Sequence, residues 1–250
     1  MKISALLAVI AACLAAAQAQ KVEKESPNQK DSPTPAPTTS EEQLQTTIQF
    51  QELAPEPVTA TEKAGVKFKP QLHITNGCHS YAAVNEAGQI GTWLKKADAK
   101  STKCKGSKAG SQVYGRSAWY GRVWGIMYAL YFPEVTPEWE HVIVWTNNPN
   151  VTKQTILAVS TSTNASSGYA VQTPPGADKM DGTSVKVTLD TNTLVLTTED
   201  GESQDVIMWH QMSNAAREAL NNDQSFGGVK VPVNDDYFLL QLGKAWPFKD

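Results

Sequence analysis

Apolar and polar positions alternate in short runs along most of the chain, with turn residues between the runs. Val113 to Tyr120 and Trp124 to Phe132 are aromatic and β-branched, and Gly121 separates them. His141 to Trp145 and Ile156 to Ser160 follow. Val185 to Leu189 and Leu194 to Thr198 flank Asp190-Thr191-Asn192-Thr193, a hairpin signature, and Asp200-Gly201 turns the chain into Asp205 to Trp209. A shorter run, Leu72 to Thr75, stops at Asn76-Gly77. Strands at this spacing, joined by Gly, Pro, Asn and Asp turns, predict an antiparallel β-sandwich rather than a βαβ fold. Two peripheral helices are predicted after the strands. Ser213 can cap Asn214 to Asn221, and Asn234 can cap Asp235 to Lys244, with Pro247 as a stop.

The periodic pattern is absent from the first quarter of the chain. Residues 1–19 read as a secretory signal, with Lys2, an apolar run from Leu6 to Ala17, and a small-x-small site at Ala17-Gln18-Ala19. That run falls short of the ~20 residues a membrane span requires, and no later run reaches it. Residues 20–66 are rich in Pro, Thr, Ser, Glu and Gln, too polar to offset their ordering entropy, and read as a disordered arm. Residues 67–250 then form one domain of about 180 residues. The formal net charge of −3 has no basic stripe, which argues against a nucleic-acid partner.

Export changes how the cysteines read. Cys13 lies in the signal, which leaves Cys78 and Cys104 as one disulfide in an oxidising compartment, or as two unpaired buried thiols. A bridge would close a loop of about 27 residues, for which the chain-entropy model gives roughly 3.5 kcal/mol. Asn150-Val151-Thr152 and Asn164-Ala165-Ser166 are N-glycosylation sequons, so each marks a surface loop. His73, His79, His141 and His210 form no metal-binding pair at helical spacing and read as structural. The rings of Trp119, Tyr120, Trp124, Tyr128, Tyr131 and Phe132 read as core, with a carbohydrate platform as the alternative.

Glu138 and Glu140 share a face at the start of a strand, because side chains alternate. Two carboxylates so placed are either an ordinary solvated strand end or the remnant of a hard-cation site for Mg2+ or Ca2+. Acid–base glycan chemistry is the third reading. It requires carboxyls about 5 Å or 6.5–9.5 Å apart across a bond, and neighbours on one face cannot readily flank one.

The segment Gly125, Ile126, Met127, Tyr128, Ala129, Leu130, Tyr131, Phe132, Pro133, followed by Glu138-Trp139-Glu140, resembles the centre of the necrosis- and ethylene-inducing peptide 1-like proteins. In that family an AIMYxWYFPKD-like segment precedes GHRHDWE. KFKPQLHITNGCHSYAAVN, CKGSKAGSQVYGRSAWY, GESQDVIMWHQMSNAAREAL and VPVNDDYFLLQLGKAWPF are similar to family segments in the same order. The resemblance implies an actinoporin- and fungal-lectin-like sandwich, secretion into the plant apoplast, and binding of sphingolipid headgroups with a divalent cation by cytolytic members. It also implies recognition of the 125–133 segment by plant immune receptors.

The family's four cation ligands transfer poorly. Val135 stands where the aspartate after YFPK would be, the first histidine has no counterpart, Glu138 replaces an aspartate, and Glu140 keeps the final glutamate. Asn164 stands where a histidine is common. The chain is therefore expected to be a monomeric, non-enzymatic, non-cytolytic effector at the plant cell surface, with no cofactor. The alternative is a cytolytic toxin in which Glu134, Glu138 and Glu140 rebuild the site.

Overall fold

Hydrogen bonding gathers the apolar runs into two sheets. The computed structural model describes residues 54–74, 79–91, 111–133, 137–163, 168–190 and 193–248. The larger sheet has six strands: β2 (Gln112–Tyr120), β3 (Val123–Pro133), β4 (Pro137–Thr146), β5 (Ile156–Ser162), β6 (Tyr169–Gln172) and β11 (Asp205–Met208). Their order is β11-β2-β3-β4-β5-β6. The second sheet holds β1 (Gln71–His73), β7 (Met180–Asp181), β8 (Ser184–Asp190), β9 (Thr193–Leu196) and β10 (Glu202–Ser203), with β8 at its centre.

The sandwich is confirmed, but it is not wholly antiparallel. β11 runs parallel to β2, pairing Ile207 with Tyr114, and β1 runs parallel to β8, pairing Leu72 with Val187. Both pairings join distant parts of the chain, which no tight turn could do.

Both faces of the six-stranded sheet are covered, so its central strands are apolar on both sides. Ile126, Tyr128, Leu130 and Phe132 of β3 point into the space between the sheets, where they meet Leu72, Val185, Val187 and Leu194. Met127, Ala129 and Tyr131 point the other way, into a second core with Phe226, Phe238 and Leu242. That outer layer includes the helices Asn214–Asn221 and Phe238–Lys244. Ser213 caps the first as expected, accepting from the Ala216 amide at 3.0 Å.

The second helix starts later than its sequence signals. Asn234 does accept from the Tyr237 amide at 2.8 Å, yet the helix begins only at Phe238. Asp235 is drawn sideways instead of serving its first turn. It accepts from Arg116 and from Asn221 Nδ2, each at 2.7 Å. Arg116 itself lies over the rings of Trp209 and Phe238, at 4.5 and 4.9 Å, which fixes that corner.

The boundary between arm and domain also moves. Residues 60–66, read as disordered, belong to a helix, Ala60–Lys67, with a full capping box: Thr59 accepts from the Glu62 amide, and the Glu62 carboxylate accepts from the Thr59 amide. Ala64 and Phe68 enter the core between the sheets, and Tyr128 donates its hydroxyl to Gly65 O at 2.8 Å. Burial of those groups, rather than composition, makes this helix part of the domain. The signal reading, Cys78, Cys104 and Asn164 lie outside the described residues.

Candidate functional site

The start of β4 places Glu138 opposite Phe132 and Glu140 opposite Leu130. Glu138 is half-buried. Glu140 departs from a solvated strand end, being only 8 % exposed. Ser162, at the end of β5, donates its hydroxyl to Glu140 Oε2, and its oxygen accepts from the His141 amide at 2.9 Å. Burial pushes the Glu140 carboxyl up to about 7, the Ser162 bond pulls it down, and the nearby Glu138 charge raises it again.

His141 alternates to the outer-layer face. It is buried, and that burial lowers its imidazole to about 3, so the ring is neutral. Its Nε2 lies 2.5 Å from the Tyr169 hydroxyl, which lies 2.9 Å from Gln241 Oε1. Tyr169 has one proton to give. With that proton on Gln241, His141 donates through Nε2 and Nδ1 is left as an acceptor. Burial, and then the Glu140 charge, raise the Tyr169 phenol, which keeps its proton in place. Among the described residues, His141 Nδ1 and the indole Nε1 of Trp139 are buried without a hydrogen-bond partner.

These groups line a cavity of about 370 Å³, together with Gly168, Pro232, Lys230 and Lys244. Its size falls within the range of small-ligand sites. An aromatic wall, the Gln241 amide and hydroxyls suit a polyhydroxylated ligand. The same donor set is poorly matched to a hard divalent cation. Such an ion takes six or more oxygens. Here one Glu140 oxygen is engaged by Ser162, the carboxyl is partly protonated at neutral pH, and two lysine ammoniums line the cavity. Among the described residues no three His, Cys, Asp or Glu side chains gather.

Of the residues singled out from sequence, Glu140 lines this cavity, and Glu138 lies two residues before it on β4, near enough for its charge to act on Glu140. The segment from Gly125 to Phe132 is buried along the centre of the sheet, as β3, rather than displayed. Asn150 lies in an exposed turn after β4. His141, Ser162, Tyr169, Lys230, Gln241 and Lys244 were not foreseen as a site. Gln241 and Lys244 are three apart on a helix, and that spacing was a usable signal for a shared face.

A family model described as necrosis inducing protein (NPP1) matches residues 62–245. The chain belongs to the necrosis-inducing protein family. Its match starts within the Ala60–Lys67 helix, in keeping with the earlier domain boundary. NLP effector protein 2 of Phytophthora capsici is 52% identical over 207 residues, covering 78% of this chain and 83% of that protein. The crystal structure of the non-toxic HaNLP3 protein superposes with a TM-score of 0.72 at 43% identity, over 79% of this chain and 96% of that one. The structure of NLPPya in complex with glucosamine superposes with a TM-score of 0.69 at 36% identity, over 78% of this chain and 94% of that one. The necrosis-inducing fold is thus that of the present sandwich, and the chain is a relative of named virulence effectors.

Proposed function

We propose that this necrosis-inducing family member is a secreted effector that acts at the plant cell surface, in the apoplast, without lysing the host membrane. The observation that carries this reading is Glu140. The one carboxylate retained from the family's cation set is buried, hydrogen-bonded to Ser162 and partly protonated, in a cavity that also holds Lys230 and Lys244. The likeness to the non-toxic HaNLP3 supports it. The partner is a host sugar headgroup, as on a glycosylated sphingolipid, because the cavity has the size and the polar lining for a hexose and a similar structure holds glucosamine. Recognition by an immune receptor through residues 125–133 requires that the fold first be opened or cut, since that strand is central. The activity is binding rather than catalysis: Glu138 and Glu140 sit two residues apart on one strand and do not flank a cleft.

Leaf infiltration tests the reading. The purified protein is expected to leave tissue green at doses where a GHRHDWE-bearing relative causes collapse. Matching necrosis would favour the cytolytic alternative, with Glu134, Glu138 and Glu140 as its ligands.

A further inference from the structure

We infer that Asn150 carries an N-linked glycan, attached at the end of the sandwich opposite the cavity. The inference rests on the secretory reading above, and it adds what a sequon alone does not: an accessible acceptor and a defined position.

The turn after β4 is held by other side chains. Asn147 Oδ1 accepts from the Asn148 and Thr155 amides at 2.9 and 3.1 Å, and Asn147 Nδ2 donates to Lys153 O at 3.1 Å. Asn148 Oδ1 accepts from the Asn150 amide at 2.8 Å, and Gln154 Nε2 donates to Pro149 O at 2.6 Å. Pro149 is buried and anchors the turn. Asn150, Val151 and Thr152 are all exposed, and no described hydrogen bond uses the Asn150 side-chain amide. The loop therefore pushes the whole sequon outward and spends none of its own bonds on the acceptor nitrogen.

The position follows from the strands. β4 starts at the cavity, with Trp139, Glu140 and His141, and ends at Thr146 beside the sequon. Glu140 to Thr146 alone spans about 20 Å at a strand's rise per residue. β5 returns to the cavity only at Ser162. A glycan on Asn150 thus leaves the cavity mouth clear. The same end of the sheet carries Trp119, 46 % exposed and edge-on to Trp124, whose register partner is Thr146. Val151 is exposed there as well. A glycan would shield this apolar surface from water and from other copies.

The reaction is transfer of an oligosaccharide from a lipid-linked pyrophosphate donor. A bond forms between the sugar's anomeric carbon and Asn150 Nδ2, and the bond from that carbon to the pyrophosphate oxygen breaks. The lipid pyrophosphate leaves, and the amide's proton passes to it or to solvent.

The full chain, with its own leader, is secreted from a yeast or oomycete host. Peptide N-glycosidase digestion in heavy-oxygen water then converts a glycosylated Asn150 to labelled aspartate, read by peptide mass. The label is expected at Asn150 in the wild type and in Thr152→Ser, and lost in Thr152→Ala. Asn150→Gln should secrete and melt like the wild type while migrating with one glycan less. A processed, secreted chain that is unmodified at Asn150 overturns this inference alone. A chain that stays unprocessed in the cytosol overturns the export reading and this inference with it.

Discussion

Replacing Trp145 with alanine is expected to cost about 3–5 kcal/mol, the range for removing a large buried ring. The indole is fully buried in the core beneath the outer layer. Its cross-strand partner is Gly125, where an added Cβ would lie 3.0 Å from the ring, so the glycine leaves room for it. Tyr120 and Trp246 meet the ring edge-on at 6.4 and 5.5 Å. Nε1 donates to Ser160 Oγ at 3.0 Å, and Ser160 donates to Ala245 O at 2.8 Å. One side chain therefore ties β4 and β5 to the C-terminal segment. Against a total stability of about 5–15 kcal/mol, the loss leaves the variant marginal or unfolded. Thermal melting should show a midpoint lower by on the order of 10 °C, with Trp145→Phe in between. An alanine variant that melts within two degrees of wild type, as a rough margin, would mean that this junction contributes little.

Glu140→Gln is expected to stabilise the protein above neutral pH and to change nothing in strong acid. The folded carboxyl sits at about 7, against an ordinary value of 4.5. A raised folded value means that the folded state holds its proton more tightly. The associated stability is fully present below 4.5 and is lost as pH rises through 7. The full shift corresponds to about 3 kcal/mol, as an order of magnitude. His141 acts in the opposite sense. Its folded value is depressed to about 3 from 6.5, so its contribution is present above 6.5 and lost as pH falls towards 3. The two oppose each other between 4.5 and 6.5, which gives a broad optimum there. Glutamine keeps an oxygen for Ser162 but carries no titratable proton, so the alkaline decline should disappear and the rise due to His141 should continue up to 6.5. Urea denaturation at pH 5 and pH 8 reads the difference directly. Equal sensitivity of both proteins to pH 8 would show that Glu140 is not desolvated as described.

The strands were legible because each is a local pattern bounded by turn chemistry. β2, β3 and the gap at Gly121 follow directly from aromatic and β-branched runs. The parallel pairings were not legible, since Leu72 meets Val187 and Ile207 meets Tyr114 across stretches that carry no local signal. The Ala60–Lys67 helix was hidden in a polar, proline-containing context. Its order comes from Ala64 and Phe68 reaching a core built by residues far along the chain. Asp235 looked like a first-turn acid until Arg116 and Asn221 claimed it.

The site was half legible. Glu138 and Glu140 could be placed on a strand end by family resemblance, and alternation put them on one face. Alternation says nothing about what covers that face. Glu140 shares its cavity with Ser162, Tyr169 and Gln241, brought from β5, β6 and the last helix. Lys230 and Lys244 arrive at the same cavity from segments read only as loop and helix, and they alter its charge.

The most direct measurement is calorimetric titration of the purified protein with Mg2+ and Ca2+ near pH 7.5, repeated on Glu140→Ala. A cavity organised by Ser162 and two lysines should give no heat beyond dilution up to millimolar ion and no rise in melting temperature. Saturable binding at lower concentration, abolished in Glu140→Ala, would contradict it.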